Sequence, residues 1–338
     1  MSGKVLITGI TGQDGAYLAK SLLDDGFEVF GGVRRGSVPK TYRLDYLGIT
    51  EKVNFTQLEI TEFANVQKVL REIEPSYIYN LAAQSFVGDS FVFPHFTSQV
   101  NYLGLLNILE TIRVDKMDVK VYQASTSEMF GEVLEKPQTE KTPFNPISPY
   151  GISKLAAHHL VKNYRQAYDI YACSGILFNH ESELRGLEFV SRKITNWLAK
   201  IKKLNFEPLA LGNLDSIRDW GYAPEYVDMM IKMLKAENPD DYVISTNTEY
   251  SVRDFLKFAA AYMDFDLVFE GKGIEEIALD RKTGKKIAFV SEKYFRASDV
   301  VYLRGDNTKA KKILNWKPKI LAPKIAEKMA NYDLSLIK

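Results

Sequence analysis

Three glycines at three-residue intervals follow the first apolar run and constrain the fold of this chain more than any other feature. Residues 5–8 read VLIT, and Gly9, Gly12 and Gly15 come after them. Glycine permits a tight turn at Gly9 and a close approach of a ligand to the backbone at Gly12. The N-terminus of a helix offers N–H donors to a phosphate. The segment therefore predicts a strand, a turn and a helix that together bind the diphosphate of a dinucleotide.

Short β-rich runs alternate with amphipathic stretches through the first half of the chain. The runs that predict strands are residues 5–8, 29–33, 54–58, 77–81 and 120–124, and the stretches that predict helices are residues 16–25, 62–73 and 97–113. This alternation is typical of a parallel, doubly wound α/β sheet. A Rossmann-like sheet of this kind binds ligands beyond the carboxyl ends of its strands, which is where the motifs of this chain fall.

The second half of the chain is less regular. The pattern predicts a helix over residues 150–168, a strand over residues 171–178, and helices near residues 189–203 and 224–235. Residues 271–293 are rich in charge and in turn formers, and they predict an exposed excursion. We therefore expect a Rossmann domain over residues 1–178, to which later segments return, and a smaller mixed α/β lobe for the substrate over residues 179–338.

The composition argues against several classes of protein. Lys and Arg number 44 and Asp and Glu 43, so the formal net charge is +1, which argues against nucleic acid or an anionic membrane as a partner. No apolar run approaches a membrane-spanning length, and no signal-peptide pattern precedes the first strand, so the expected compartment is the cytoplasm. The single Cys173 excludes an internal disulfide. The 4 histidines lack the spacing of a metal site, and no metal is expected.

Two arginines after the second predicted strand indicate the type of dinucleotide. A site that prefers NAD usually offers a carboxylate to the ribose 2′-hydroxyl at this place. Arg34 and Arg35 stand there instead, and two guanidinium groups suit a 2′-phosphate because they can donate paired, charge-assisted hydrogen bonds. The pattern favours NADP, and the alternative is a pair of solvated arginines in a loop.

A tyrosine and a lysine lie one helical turn apart after Pro149. Residues at positions i and i+4 share a face of a helix, so the ammonium of Lys154 is expected close to the phenol of Tyr150. A nearby cation favours the phenolate and lowers the pKa of the tyrosine, which makes Tyr150 a usable base near neutral pH. The spacing alone is common, and it gains force from its place downstream of the glycine turn.

Thr126 and Glu128 follow the strand predicted at residues 120–124. The Thr126 hydroxyl can hydrogen-bond a substrate oxygen that becomes a carbonyl, although most hydroxyl clusters after strands only cap loops. Elimination of water also needs a base for the proton beside the new ketone and an acid for the departing hydroxyl. Glu128 has the chemistry for both tasks, whereas a simple reductase or epimerase has no use for it. The pattern therefore favours a dehydratase.

Longer segments carry a specific resemblance. They read GITGQDGAYL at residues 9–18, LAAQS at 81–85, QASTSEMF at 123–130, SPYG at 148–151, GILFNHES at 175–182, RKI at 192–194, LGNLD at 211–215, RDWG at 218–221 and LNWKP at 314–318. In this order, and over nearly the whole chain, they resemble the GDP-mannose 4,6-dehydratase family. That family is a branch of the extended short-chain dehydrogenases/reductases, to which the glycine spacing also points.

The resemblance implies an NADP-dependent dehydratase that acts on GDP-mannose and recycles its cofactor. It implies a catalytic set of Thr126, Glu128, Tyr150 and Lys154. It implies contacts with NADP at Gly9, Thr11, Gly12, Gln13, Asp14, Gly15, Arg34, Arg35, Glu59, Ile60, Leu81, Ala83, Gln84, Ser85, Tyr150, Lys154, His180 and Arg185. It implies contacts with the sugar nucleotide at Ser85, Glu128, Asn179, Lys193, Gly212, Arg218 and Arg296.

The chain departs from the family pattern at a few positions. Glu183 replaces a proline, and its carboxylate is expected to weaken or reorient the contact of Arg185 with the cofactor. Phe96 stands where many members have a tyrosine that touches the cofactor. Glu59 and Ile60 replace the usual Asp-Leu pair beside the adenine, which is a conservative change. No departure touches the catalytic set.

Three other functions remain open at this point. They are a reductase or epimerase of the same fold, a 4,6-dehydratase for another nucleotide sugar such as dTDP-glucose, and a nucleotide-sensing or scaffold protein on an inactive enzyme fold. Net consumption of NADPH during turnover would indicate a reductase.

The resemblance also implies a homodimer through helices of the first domain, often paired into a homotetramer. Residues 37–47 either contribute to that contact or form a plain surface loop.

Overall fold

The computed structural model describes residues 3–36, 40–295 and 302–337. Contacts divide the chain into two compact units. The first unit comprises Met1–Leu177, Ala223–Ile244 and Asn307–Lys317, and the second comprises Phe178–Tyr222, Ser245–Asp306 and Pro318–Lys338. Two late segments of the chain thus return to the first unit.

The described residues form strands and helices throughout. The strands are β1 (Lys4–Thr8), β2 (Glu28–Val33), β3 (Asn54–Gln57), β4 (Tyr77–Asn80), β5 (Lys120–Ala124), β6 (Ala172–Leu177), β7 (Asn179–Glu181), β8 (Leu209–Leu211), β9 (Ile217–Arg218), β10 (Trp220–Tyr222), β11 (Tyr242–Ile244), β12 (Tyr250–Ser251), β13 (Leu267–Glu270), β14 (Ile277–Asp280) and β15 (Lys286–Val290). The α-helices are α1 (Gln13–Asp24), α2 (Tyr42–Tyr46), α3 (Phe63–Ile73), α4 (Val87–Val92), α5 (Pro94–Ser98), α6 (Gly104–Asp115), α7 (Pro149–Tyr168), α8 (Val190–Leu204), α9 (Ala223–Lys235), α10 (Val252–Tyr262), α11 (Thr308–Leu314) and α12 (Ala322–Leu336).

A parallel sheet in the order β11-β6-β5-β4-β1-β2-β3 is the centre of the first unit. Side chains of a strand point alternately to the two faces, and both faces of this sheet are apolar. Val5 and Ile7 join a cluster that includes residues of α1 and α9. Leu6 joins the other cluster, with residues of α3, α6 and α7. The sequence-based prediction of a Rossmann-like, doubly wound α/β fold is confirmed.

A run of helix leads from α5 to α6 without a break. Five residues, Gln99–Leu103, form a π-helical segment between them. The wider turn carries Asn101, which is 1% exposed. The sequence predicted one helix over residues 97–113, and the irregular turn inside it was not predicted. Insertions of this kind often occur at functional sites.

The second unit contains a four-stranded sheet in the order β13-β14-β15-β8 within the described residues. Apolar residues of this sheet form one buried cluster with residues of α8, α10 and α12. Two smaller pairs of strands, β7 with β10 and β9 with β12, complete the described strands of this unit.

The prediction of an exposed excursion over residues 271–293 is wrong. The segment forms the hairpin of β14 and β15, and Ala278, Ile287 and Ala288 are at most 1% exposed. The charged residues that suggested exposure are concentrated in the turn at 281–286, where Gly284 has a φ of +70°. Asp280 is buried but satisfied, since Thr283 Oγ1 and the Asp266 backbone N–H donate to its carboxylate at 2.7 and 3.0 Å.

A buried ion pair joins α8 to α12 in the second unit. Asp333 is 0% exposed, and its carboxylate accepts hydrogen bonds from Arg192 Nε at 3.0 Å and from Thr195 Oγ1 at 2.6 Å. The same guanidinium donates through Nη1 to the backbone carbonyls of Glu183 and Arg185. Arg192 therefore fixes both helix α12 and the loop after β7.

Removal of the Asp333 carboxylate would leave the charge of Arg192 buried and unpaired, and an unpaired buried charge is strongly destabilising. We expect Asp333→Ala to lower the free energy of unfolding of the full chain by about 3–5 kcal/mol, as measured by urea denaturation. The control is Glu327→Ala on the same helix, because the pair of Glu327 with Lys324 is exposed and such pairs contribute at most about 1 kcal/mol. Equal losses in the two variants would contradict a special role for the buried pair.

Candidate active site

The predicted residues of the first unit lie at or beyond the carboxyl ends of β1 to β5 and at the start of α7. Because parallel strands end at one edge of a sheet, these residues are gathered at that edge. They are Gly9, Thr11, Gly12, Gln13, Asp14 and Gly15 after β1, Arg34 and Arg35 after β2, Glu59 and Ile60 after β3, Leu81, Ala83, Gln84 and Ser85 after β4, Thr126 and Glu128 after β5, and Tyr150 and Lys154 on α7.

The glycine turn is packed too tightly for side chains. Gly9 has a φ of +71°, and a Cβ there would stand 2.9 Å from the Ala82 nitrogen. A Cβ on Gly15 would stand 2.5 Å from the Gly9 carbonyl oxygen. Gly12 is the N-cap of α1 and has no side chain with which to cap it. The backbone at the first turn of α1 thus has the geometry that receives a diphosphate.

The residues after β2 and β3 differ in exposure. Arg34 and Arg35 are exposed, as is suitable for groups that would meet a charged phosphate at the rim of a site. Ile60 is 6% exposed. The Glu59 carboxylate accepts a hydrogen bond from Thr61 Oγ1 at 2.9 Å, and Asn65 Oδ1 accepts from the Glu59 backbone N–H at 2.7 Å. Residues 59 and 60 are therefore held in a fixed turn.

The turn at residues 81–85 is connected to α7 through Asn101. Its Oδ1 accepts from the Gln84 backbone N–H at 2.9 Å, and its Nδ2 donates to the Gln84 carbonyl at 3.1 Å and to Ser153 Oγ at 3.0 Å. Ser153 in turn donates to the Tyr150 carbonyl at 2.8 Å. Sequence reasoning missed Asn101, because a lone amide in a helical pattern gives little signal.

The first turn of α7 packs directly on the segment that carries Glu128. Ser148 caps the helix by accepting from the Gly151 backbone N–H at 3.0 Å, and Pro149 follows at the first helical position. A Cβ on Gly151 would stand 2.7 Å from the Glu128 carbonyl oxygen. Glycine at residue 151 therefore lets the turn of Tyr150 approach the turn of Glu128.

Thr126 and Glu128 belong to one short 3₁₀ turn, Ser127–Met129. Thr126 Oγ1 caps this turn and accepts from the Glu128 backbone N–H at 3.2 Å. Thr126 is 7% exposed, and Glu128 is half-buried. The Thr126 hydroxyl is thus fixed to the main chain of Glu128 just after the end of β5.

Lys154 is buried, and its amine has a defined partner. The residue is 2% exposed, and its Nζ donates to the backbone carbonyl of Ala124 at 2.9 Å. Burial lowers the pKa of Lys154 to about 8, because the charged form loses its hydration. An amine of this pKa remains largely charged at neutral pH, where it would favour the phenolate of Tyr150.

The remaining predicted residues belong to the second unit, apart from Arg296, which lies outside the described residues. Asn179 and His180 lie in β7, and His180 Nδ1 is 2.8 Å from the Phe178 carbonyl. Lys193 Nζ donates to the Ala210 carbonyl at 2.7 Å and lies 3.7 Å from the centre of the Tyr294 ring. Arg218 lies in β9. A Cβ on Gly212 would stand 2.3 Å from the Tyr294 carbonyl oxygen.

The loop after β7 gives Arg185 and Glu183 separate partners. Arg185 Nε is 3.2 Å from Glu181 Oε2, and the Arg185 guanidinium stacks on the Phe189 ring at 3.6 Å. The Glu183 carboxylate accepts from the Tyr222 hydroxyl at 3.2 Å and lies 4.0 Å from Lys328 Nζ. The effect of Glu183 on the cofactor contact of Arg185 stays a prediction.

His158 lies one turn after Lys154 on α7 and is 6% exposed. Its Nδ1 is 3.3 Å from Ser125 Oγ, and its ring packs edge-on against Phe144. Burial lowers the pKa of His158 to about 4, so the ring is neutral at neutral pH.

Among the described residues, no group of three or more His, Cys, Asp or Glu side chains is placed to hold a metal ion.

Fold and site together define a Rossmann-fold protein of the short-chain dehydrogenase/reductase class. The model of the family described as GDP-mannose 4,6 dehydratase matches residues 6–329. A GDP-mannose 4,6 dehydratase of Drosophila melanogaster is 45% identical in an alignment of 341 positions that covers 98% of this chain and 86% of that protein. The chain belongs to the GDP-mannose 4,6-dehydratase family.

Solved structures of lower identity share the fold. UDP-glucose 4-epimerase from Thermotoga maritima, solved with UDP-glucose, is 21% identical with a TM-score of 0.83, and the match covers 99% of this chain and 100% of that one. RMD from Pseudomonas aeruginosa, solved with NADPH, is 18% identical with a TM-score of 0.77, over 98% of this chain and 99% of that one.

The lowered pKa of His158 predicts a loss of stability in acid. Between pH 6.5 and pH 4 the unfolded chain takes up a proton on this residue that the folded chain does not. Stability therefore falls as the pH falls through that window, by up to about 3 kcal/mol. We expect His158→Gln, which can keep a hydrogen bond to Ser125, to reduce this loss in urea unfolding at several pH values. His95→Gln at an exposed position is the control, and an unchanged acid slope in His158→Gln would count against the assignment.

Proposed function

We propose that the chain converts GDP-D-mannose to GDP-4-keto-6-deoxy-D-mannose by removal of one water, without net oxidation or reduction. The observation that carries this proposal is the packing of the Tyr150 turn on the turn of Glu128. It sets the main chain of Glu128, whose side chain ends in a carboxyl group, against the first turn of the helix that carries Tyr150 and Lys154. A hydroxyl oxidation alone does not need that carboxyl, whereas elimination of water does.

In the first stage Tyr150 acts as the base for the C4 hydroxyl of the sugar. The charge of Lys154 favours the phenolate of Tyr150, and the Thr126 hydroxyl donates to the oxygen that becomes the C4 carbonyl. The hydride acceptor for C4 and the hydride donor for C6 would be supplied by NADP, held by the glycine turn and by Arg34 and Arg35.

In the second stage Glu128 takes the proton from C5, which the neighbouring ketone has made acidic. Protonated Glu128 then gives a proton to the departing C6 hydroxyl, so that water leaves. In the last stage C5 receives the proton that Tyr150 took from the C4 hydroxyl, so that Tyr150 returns to its starting state. The product carries a ketone at C4 and a methyl group at C6. One carboxyl group thus serves as a base and then as an acid.

We propose NADP rather than NAD as the cofactor. The glycine turn leads into the N-terminus of α1, which suits a diphosphate, and the exposed pair Arg34 and Arg35 suits a 2′-phosphate. Proteins that share this fold were solved with NADPH, as RMD of Pseudomonas aeruginosa was, or with NAD, as UDP-glucose 4-epimerase of Thermus thermophilus was, so the choice of NADP rests on the two arginines. In the second unit, Asn179, Lys193 and Arg218 have the amide and cationic groups that recognise a nucleoside diphosphate.

The rival enzymes differ from the proposed one in the cofactor that they consume, in the mass of their product or in their substrate. A reductase of the same fold consumes NADPH, and an epimerase returns a sugar nucleotide of unchanged mass. A dehydratase of another sugar nucleotide would release water from dTDP-glucose rather than from GDP-mannose.

We place the activity in the cytoplasm on the evidence of the lone, buried Cys173. No helix in the described ranges has both the length and the apolar character to cross a membrane.

We also propose that the protein is a homodimer or a homotetramer. Helices α4 and α5, the π-helical segment and the start of α7 pack on one another, and they expose several large apolar side chains. An exposed group of this kind usually marks a contact surface, and the partner we propose is a second copy of this chain. The exposed residues are Phe91, Val92, Phe93, Phe96, Leu103 and Ile152.

The decisive experiment is incubation of the purified protein with GDP-mannose and either NADP⁺ or NAD⁺. We expect product that has lost one water, with faster turnover for NADP⁺ and no net change in NADPH absorbance at the end. Glu128→Gln should still bind the sugar nucleotide but form product at least about 10²-fold more slowly. Near-normal turnover by Glu128→Gln would exclude the dehydration role. Loss of water from dTDP-glucose alone would reassign the substrate.

Sedimentation equilibrium tests the proposed assembly. We expect a mass of two or four chains for the wild type, and a smaller assembly for the double variant Phe91→Glu/Phe93→Glu, because charges on an apolar contact are costly to bury. Leu134→Glu is the matched control, since Leu134 is also exposed but lies outside these helices. A wild-type protein that sediments as a single chain would refute the proposal.

A further inference from the structure

A line of buried hydrogen bonds crosses the carboxyl edge of the sheet toward Lys154. Its side chains are Thr8, Asn80 and Gln123, which are 1%, 2% and 1% exposed. Thr8 is paired with Asn80 between β1 and β4, and Asn80 is paired with Gln123 between β4 and β5. Three neighbouring strands therefore each contribute one polar residue at the same level of the sheet.

The line begins at the turns predicted to hold the cofactor. Thr8 directly precedes Gly9, and its Oγ1 accepts from the backbone N–H groups of Leu81 and Ala82 at 3.1 and 3.0 Å. The same hydroxyl donates to Asn80 Oδ1 at 2.7 Å. One side chain thus joins the glycine turn to the turn after β4.

The line ends at the lysine. Asn80 Nδ2 donates to Gln123 Oε1 at 2.6 Å, and Gln123 Nε2 donates to the Ala124 carbonyl at 2.9 Å. That carbonyl is also the acceptor for Lys154 Nζ, at 2.9 Å. A carbonyl oxygen has two lone pairs, so Gln123 and Lys154 can both bind to it.

We propose that Asn80 and Gln123 are positioning residues, which fix the Ala124 carbonyl and through it the amine of Lys154. The inference rests on the proposed function, in which Lys154 is the cation beside Tyr150. Both amides are buried, and their side chains bond to other groups of the protein. Their effect reaches the reaction only through the place and the protonation of Lys154.

The physical reason is that a buried amide group must keep its partners. A buried donor or acceptor that loses its partner is costly, and each group of this line has the next as its partner. Hydrogen bonds that run head to tail also polarise one another. The Ala124 carbonyl therefore cannot turn away from Lys154 without breaking the bond to Gln123, and the ammonium is held in one position.

Several ionisable groups lie on the helices and strands that pack against α7. The pKa of Lys154 is lowered by burial, however, and not by the charge of one of these groups. A charge introduced at Gln123 should therefore act on a lysine with no dominant charged neighbour. The groups on those elements include Asp89, His95, Tyr102, Glu110, Glu128 and Cys173.

The test replaces each of two buried glutamines by glutamate. Gln123→Glu puts a carboxyl group one carbonyl away from Lys154, and an opposite charge raises the pKa of a lysine. Gln138→Glu is the matched control, because Gln138 is 0% exposed and its Nε2 donates to the Glu135 carbonyl at 2.8 Å. The protein is labelled with lysine carrying ¹³C at Cε, and the Lys154 signal is assigned by its absence in Lys154→Met.

We expect the titration of Lys154 in Gln123→Glu to move up by about one pH unit or more, and to stay at the wild-type position in Gln138→Glu. An equal titration in all three proteins, or an equal shift in both variants, would overturn the proposal. The titration needs no substrate, so its outcome is independent of whether the wild type converts GDP-mannose.

A second variant covers the case in which Gln123→Glu does not fold. Gln123→Met keeps the length of the side chain but can form neither bond of the line. We expect kcat for GDP-mannose to fall about tenfold, with KM within about twofold, because the amine is displaced but the substrate contacts remain. A kcat within about twofold of the wild type would refute the positioning role.

Discussion

A buried ammonium needs a hydrogen-bond acceptor, and in this protein the acceptor is the carbonyl at the end of β5. That requirement ties the chemistry to the order of the sheet. The parallel strands β1, β4 and β5 are neighbours, so their ends share one edge, and the polar residues at those ends can bond to one another across it. The glycine turn, the turn at residues 81–85 and the helix of Tyr150 and Lys154 are thereby parts of one hydrogen-bonded frame.

Much of the first unit could be predicted because each of its signals is local. The predicted strands at 29–33 and 120–124 match β2 and β5 to within a residue, since each is a short run with valine and aromatic residues between two amphipathic stretches. The hairpin of β14 and β15 was missed because its turn is highly charged and its strands are short. Asn80 and Gln123 were missed for another reason. A single amide in an apolar strand has no meaning until the register shows that two such residues are paired.

The two units give different kinds of information about function. The first unit carries the Tyr, Lys, Thr and Glu residues and the glycine turn, which together define a class of chemistry. The second unit carries the motifs FNHES and RDWG, which belong to the resemblance to the GDP-mannose 4,6-dehydratase family. Structures that share only 18–21% identity still superimpose over almost the full chain, so the fold itself tells little about the substrate.

The buried pair of Arg192 and Asp333 has a consequence for how this sequence can vary. Arg192 holds the loop after β7 by the main-chain carbonyls of residues 183 and 185, and a carbonyl is present whatever the side chain. The resemblance implies a proline at residue 183, where this chain has Glu183. Because the guanidinium that ties this loop is anchored on α12 and binds main-chain oxygens, the tie does not depend on which side chain residue 183 carries. The C-terminal helix thus makes a loop far from it in sequence tolerant to substitution.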